Sequence, residues 1–207
     1  MSNESTTPVA VVRPSGKTGA LAEGEPHLIV SYTSIYKWLY NDTKTGSEMN
    51  VSIYRPTPSN EKFYILGDYA QPNFSEPTGS SLIVQAANDD PAHPLLKEPD
   101  NYHFVWNDEG SEGTYDGSIW YPLAPDGYIA IGFVCNGSWD KPSIPSYRCV
   151  RKDYVVDTQP GHLIWNDKGA GTKRNVSVYQ IVGVQSAFVA QADFYPYIGP
   201  CRKLLLT

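Results

Sequence analysis

Six acidic residues are spaced as if they could act together. Asp42, Asp108 and Asp167 each follow an asparagine (Asn41, Asn107, Asn166), and Glu48, Glu109 and Asp116 lie in the polar arms that come next. Hard cations such as Ca²⁺ seek oxygen clusters of this kind. The same residue types also do something plainer at strand ends, where Asn and Asp bond their own backbone and hold a turn. As ligand-binding residues at loop ends the pattern puts forward Asp42, Glu48, Asp108, Glu109, Asp116 and Asp167. As metal ligands it offers only Asp108 and Asp116, because Lys173 and Arg174 stand in the third arm and Lys44 in the first. Two carboxylates would make a weak site.

Other chemistry is poorly signalled. "NDDPAH" (88–93) brings Asp89, Asp90 and His93 close in sequence, as a proline-bounded loop does without any metal. "RPSGKTG" (13–19) has Val11 where a phosphate-binding loop needs glycine. The four histidines form no triad signature, and neither G-x-S-x-G nor H-E-x-x-H occurs. The expectation is a protein that is not an enzyme, with no catalytic residues and no cofactor.

The acidic pairs belong to a phrase written three times. "YKWLYNDTKTGSEMNVSIY", "HFVWNDEGSEGTYDGSIW" and "HLIWNDKGAGTKRNVSVY" align on Asn41, Asn107 and Asn166. From each asparagine the serine that opens the next strand, Ser52, Ser118 or Ser177, is 11 residues on. "SIYRPTPSNEKFYILGDYA", "SIWYPLAPDGYIAIGFVC" and "SVYQIVGVQSAFVAQADF" then each read as strand, turn, strand. Asp126-Gly127 supplies a positive-φ turn, and Ile129, Ile131 and Phe133 alternate with Tyr128, Ala130 and Gly132. A fourth strand follows in "SSLIVQAAN", "YRCVRKDYVV" and "PCRKLLLT".

Such a pattern predicts an all-β protein of three pseudo-threefold repeats, each a four-stranded antiparallel sheet. One sheet alone would leave its oily face uncovered, so three must share a core. A β-prism suits self-contained sheets, with the β-trefoil as the alternative; a propeller needs four or more blades. The repeats span about 32–90, 99–157 and 160–207 of one domain over 27–207, after a flexible lead-in over 1–26 with an edge strand at "VAVV". Trp106 and Trp165 precede their asparagines by one residue and Trp38 by three, positions that suit core packing and, failing that, an aromatic surface.

Composition narrows the partners. With 207 residues, 15 tyrosines, 17 glycines, 17 prolines and a net charge of -6, the chain is globular and acidic. That argues against nucleic acid and against purely electrostatic attachment to anionic lipid. No apolar run is long enough to span a membrane, and no basic and then apolar leader opens the chain. The expected location is cytoplasmic, with peripheral membrane association or non-classical export still open. Cys135, Cys149 and Cys201 are odd in number and widely spaced, which favours reduced thiols over a disulfide with one spare. Six Asn-X-Ser/Thr sequons, at Asn3, Asn41, Asn50, Asn73, Asn136 and Asn175, read as turn chemistry.

Three long stretches resemble one family. "SIYRPTPSNEKFYILGDYAQPN" (52–73), "PDNYHFVWNDEGSEGTYDGSIWYPLAPDGYIAIGFV" (99–134) and "KPSIPSYRCVRKDYV" (141–155) are similar to the Vps62 (vacuolar protein sorting-associated protein 62) family, over about residues 32–160. The third repeat departs, with Gln180 where Pro122 would be and Ala190 where Gly132 would be. The resemblance implies a β-prism-like fold, a link to vacuolar protein sorting, and no catalytic residues. The function expected is a binding module for a membrane headgroup or a glycan, in trafficking or defence. Alternatives are a protein–protein adaptor, a glycan-acting hydrolase and a toxin-like lectin.

Overall fold

The computed structural model describes residues 10–17, 19–58 and 60–206. The first nine residues of the expected lead-in, and the Asn3 sequon with them, lie outside the described residues. Strand β1 (Ala10–Val12) comes first. Repeat 1 then holds β2 (His27–Thr33), β3 (Tyr36–Asn41), β4 (Ser52–Pro56), β5 (Tyr64–Ile65), β6 (Tyr69–Gln71) and β7 (Ser81–Ala87). Repeat 2 holds β8 (Leu96–Lys97), β9 (Asn101–Asn107), β10 (Ser118–Leu123), β11 (Tyr128–Ile129), β12 (Val134–Asn136) and β13 (Cys149–Arg151). After a 3-10 turn at Lys152–Tyr154, repeat 3 holds β14 (Val155–Thr158), β15 (Pro160–Asn166), β16 (Ser177–Ile181), β17 (Phe188–Gln191) and β18 (Cys201–Leu204). The fold is all-β, built of several small antiparallel sheets.

The repeated phrase forms the same sheet three times, in the orders β3-β4-β6, β9-β10-β12 and β15-β16-β17. Asn41 pairs with Ser52, Asn107 with Ser118 and Asn166 with Ser177. Each hairpin also slips at the same place, skipping Leu39, Val105 or Ile164. A bulge there turns the residue just before the asparagine into the core. That residue is Tyr40, Trp106 or Trp165, and all three are buried.

Each repeat was expected to be one four-stranded sheet, but it divides in two. The fourth strand pairs with the strand that enters the repeat: β7 with β2, β13 with β8 and β18 with β14. The alternation expected over 128–133 also fails. Strand β11 stops at Ile129, and residues 130–133 are all buried. The reason is a close approach between repeats. A Cβ on Gly132 would stand 2.9 Å from the Gly67 Cα and 3.1 Å from the Ala187 Cβ. Ala187, three residues before the position expected from sequence, is therefore the repeat-3 counterpart of Gly132. The strand registers likewise set Ile181, not Gln180, against Pro122.

Several described residues of the lead-in are tied to the rest of the fold. β1 pairs with β2, and Val12 is fully buried and bridges to Leu206. Arg13 donates to both Glu25 carboxylate oxygens and to the Gly19 carbonyl, and Ser15 N–H donates to the Asp153 carbonyl. The three cysteines are free and buried, and burial pushes the Cys149 thiol up to about 12. Among the described residues no helix is long and apolar enough to cross a membrane.

Candidate functional site

β3 runs toward its loop and β6 runs the same way, since Ser52 pairs with both Asn41 and Gln71. The β3–β4 loop and the segment after β6 therefore emerge at one end. The same holds in repeats 2 and 3, where Ser118 pairs with Asn107 and Asn136, and Ser177 with Asn166 and Gln191. Six loops thus come from equivalent strand ends.

Three of them, residues 42–51, 108–117 and 167–176, are built on the aspartates. Asp42 accepts the Val51 amide at 2.9 Å, Asp108 the Gly117 amide at 3.0 Å and Asp167 the Val176 amide at 2.8 Å. Each aspartate carbonyl also accepts an N–H from inside its own loop, from Thr45, Ser111 or Ala170. The loops then join one another head to tail. Glu48 N–H donates to the Lys168 carbonyl, Lys173 N–H to Glu109, and Thr114 N–H to Thr43. These are the same two positions in each loop, so the three bonds close a ring.

Indole donors complete the hub. Trp165 Nε1 donates to Asp42 at 2.9 Å, and Trp106 Nε1 to Asp167 at 2.8 Å. The third place belongs to Tyr40, which lies edge-on to Trp106 with ring centroids 5.9 Å apart. Its hydroxyl is buried without a partner among the described residues. Gly117 makes room for it: a Cβ there would fall 2.3 Å from the Tyr40 ring, whereas Val51 and Val176 stand at the matching positions. Asp108 receives its indole from Trp139 instead, at 2.6 Å.

The sequence-predicted ligand residues are thus brought together, but mostly facing inward. Asp42, Asp108 and Asp167 are buried, and their oxygens point at N–H donors. Burial pushes the Asp42 and Asp167 carboxyls above the ordinary 3.8, and the amide and side-chain donors oppose that shift. Glu48 pairs with Lys168 and Glu109 with Lys173 across the loop contacts. Asp116 is exposed. At Asp108, a candidate metal ligand with Asp116, two N–H donors, from Gly117 and Trp139, face one carboxylate oxygen. No group of three or more His, Cys, Asp or Glu residues that could hold a metal ion occurs among the described residues, "NDDPAH" included. There the Asp89 and Asp90 side chains cap the Leu95 and Ala92 amides.

What does face solvent is aromatic, and the sequence reading missed it. After β6, β12 and β17 the chain makes one turn three times. The side-chain amide of Gln71 donates to Asn73 Oδ1 and to the Ser75 carbonyl, while Ser75 N–H donates to Asn73 Oδ1. Asn136 does the same with Ser138 and Asp140, and Gln191 with Asp193 and Tyr195. At the same place in each turn stands a half-exposed ring, Phe74 (45% exposed), Trp139 (45%) or Phe194 (40%), with Tyr195 beside the last at 76%. Underneath, Tyr54 and Tyr179 hydroxyls brace the Ser75 and Tyr195 carbonyls. Trp38 is exposed as well, edge-on to Tyr115 with centroids 4.8 Å apart. Trp106 and Trp165, by contrast, are core, as expected.

Comparison with known proteins places these observations. The family model described as "Vacuolar protein sorting-associated protein 62" matches residues 15–194. No curated protein matches the chain. A solved structure, that of GNIP1Aa from Chromobacterium piscinae, is similar at 25% identity with a TM-score of 0.70. The match covers 81% of this chain and 33% of that one, so the chain spans about a third of its neighbour's length.

Proposed function

Given that the chain belongs to the Vps62 family, we propose that it is a binding module without chemistry of its own, reading a surface-borne ligand at its loop end. The observation that carries this is the set of three half-exposed rings, Phe74, Trp139 and Phe194, each on the same amide-capped turn. A β-prism-like arrangement, three sheets about one axis with their loops at one end, is the reading of the fold that supports it.

A membrane headgroup region is the preferred ligand. Aromatic rings with an apolar body and a polar edge suit the membrane–water interface. Of the charges near them, Glu48 pairs with Lys168 and Glu109 with Lys173, while the residues next to Trp139 and Phe194 are acidic, Asp140 and Asp193. Attraction to anionic lipid would then contribute little, and the family's description points to vacuolar sorting, a membrane process. On this reading the protein works peripherally, from the cytoplasmic side.

A glycan is the second reading, favoured by Trp139. Its indole N–H is held by Asp108, so the ring is fixed before any ligand arrives. Flotation with phosphatidylcholine vesicles, with and without phosphatidylserine, beside a glycan array, separates the two. Vesicle binding that is indifferent to phosphatidylserine and to salt is expected. Replacing Phe74 and Phe194 together with Ala should weaken it by roughly fivefold per ring, from about 1 kcal/mol of lost burial each. Undiminished binding by that double variant would refute the assignment of the rings.

A further inference from the structure

A recess lies between repeats 2 and 3, built from residues outside the three hub loops. It is a cleft of about 240 Å³ whose apolar wall is Ile129, Ala130, Ile131 and Phe133. Tyr121 and Tyr197 flank it, with Tyr121 tilted against Phe133 at a centroid distance of 5.0 Å. Arg202 lies at its rim. Small-molecule sites have this composition, a concave apolar wall with a few convergent polar groups.

The polar groups are not used up by the fold. Among the described residues the Tyr197 hydroxyl donates only to the Pro200 carbonyl, at 3.4 Å. Arg202 donates from Nη1 to the Cys201 carbonyl, and its Nε pairs at 3.2 Å with Asp157, whose side chain is 85% exposed. An exposed partner of that kind contributes little and is readily exchanged. The junction between repeats 1 and 2 shows the contrast. There Arg55 donates to both oxygens of the fully buried Asp68, at 3.0 and 2.9 Å, and the chain supplies its own carboxylate.

We propose that the cleft between repeats 2 and 3 binds a small amphiphilic carboxylate. Its aryl or short acyl group lies against Ile129, Ile131 and Phe133, and its carboxylate exchanges with Asp157 on Arg202. The size fits, since a cavity of about 150 Å³ already holds benzene. One guanidinium suits a monoanion, and its planar fork matches a carboxylate.

The test uses 4-phenylbutyrate and the neutral 4-phenylbutanol as probes, followed by methyl NMR shifts on the full chain. Saturable shifts confined to Ile129, Ala130 and Ile131 are expected with the carboxylate, at a Kd between about 0.1 and 1 mM for a fragment this size. Arg202→Gln should weaken the carboxylate roughly tenfold and leave the alcohol unchanged. Ala130→Phe, or Ile129→Trp should the first fail to fold, should abolish both. Absent or non-saturable shifts, shifts mapping elsewhere, or a carboxylate preference that survives Arg202→Gln would overturn the proposal.

Discussion

The hub of the three aspartate loops and the junctions between repeats solve one packing problem in opposite ways. At the hub, the same positions make the same bonds in every repeat, down to which amide meets which carbonyl. At the junctions the content differs each time. Between repeats 1 and 2 it is a sealed ion pair, Arg55 with Asp68, tied to both the amide and the carbonyl of Cys135. Between repeats 2 and 3 it is the apolar cleft with Arg202. Between repeats 3 and 1 it is a recess of mixed character, where Gln71, His162, Gln180 and Gln185 stand beside Tyr69, Ile164 and Ala187. A ring of bonds constrains all its members at once, because a change in one loop strands a partner in the next. A junction involves two repeats only, so each pair is free to settle its own terms. Specialisation belongs at the junctions and on the outer turns, and Tyr40 marks the one place where the hub itself yielded.

Breaking that contrast should be most costly at the sealed junction. Asp68→Ala leaves a guanidinium buried without its partner, and a loss of about 3–5 kcal/mol in urea unfolding is expected. Replacing Arg55 and Asp68 together with apolar residues of similar volume should recover most of it. At the hub, Asp42→Asn or Asp167→Asn offers one acceptor to two N–H donors, so one donor goes unpaired. Each should lower stability by about 1–3 kcal/mol.

The same two aspartates predict a pH response. Their folded carboxyls titrate above the ordinary 3.8, so the folded state holds more protons than the unfolded one just above that value. Their contribution to stability therefore falls as pH rises from about 3.8 through the raised values, then levels off. Melting temperatures from pH 3.5 to 7 should show a shallower fall in the Asp42→Asn, Asp167→Asn double variant than in the parent.

Smaller effects sharpen the comparison. Tyr40→Phe removes a buried hydroxyl that has no partner, and a gain of up to about 1 kcal/mol is expected. Phe74→Ala and Phe194→Ala lie on the half-exposed outer turns and should leave stability within about 0.5 kcal/mol, measured by the same unfolding curves.

The 11-residue spacing from asparagine to serine was legible because it measures one hairpin loop, and nothing could be inserted there without opening the ring. The aspartates were found by the same spacing, although their orientation was not. A one-residue bulge decides which side chain enters the core, so Tyr40 takes the place that the identity of Trp38 suggested for a tryptophan. The aromatic turns escaped notice because the connection from hub to turn varies in length. Phe74, Trp139 and Phe194 stand 33, 32 and 28 residues after their asparagines. A short pattern does recur, Gln71-x-Asn73-Phe74, Asn136-x-Ser138-Trp139 and Gln191-x-Asp193-Phe194, and the shared hydrogen bonds from its Gln or Asn make the three turns equivalent. The partition of each repeat into two sheets was hidden for a similar reason, since the pairing of β7 with β2 joins segments some 50 residues apart.

Closure of the hub also fixes the copy number. In an open array a unit can be gained or lost at either end, since each touches only its neighbours and stability is close to a sum over units. Here the loop of repeat 1 donates to repeat 3, repeat 3 to repeat 2, and repeat 2 back to repeat 1. Two units would leave donor and acceptor facing nothing, and a fourth would have nowhere to enter. Such a protein should melt as a single cooperative unit, and change is easier at the rim of each repeat than in the number of repeats.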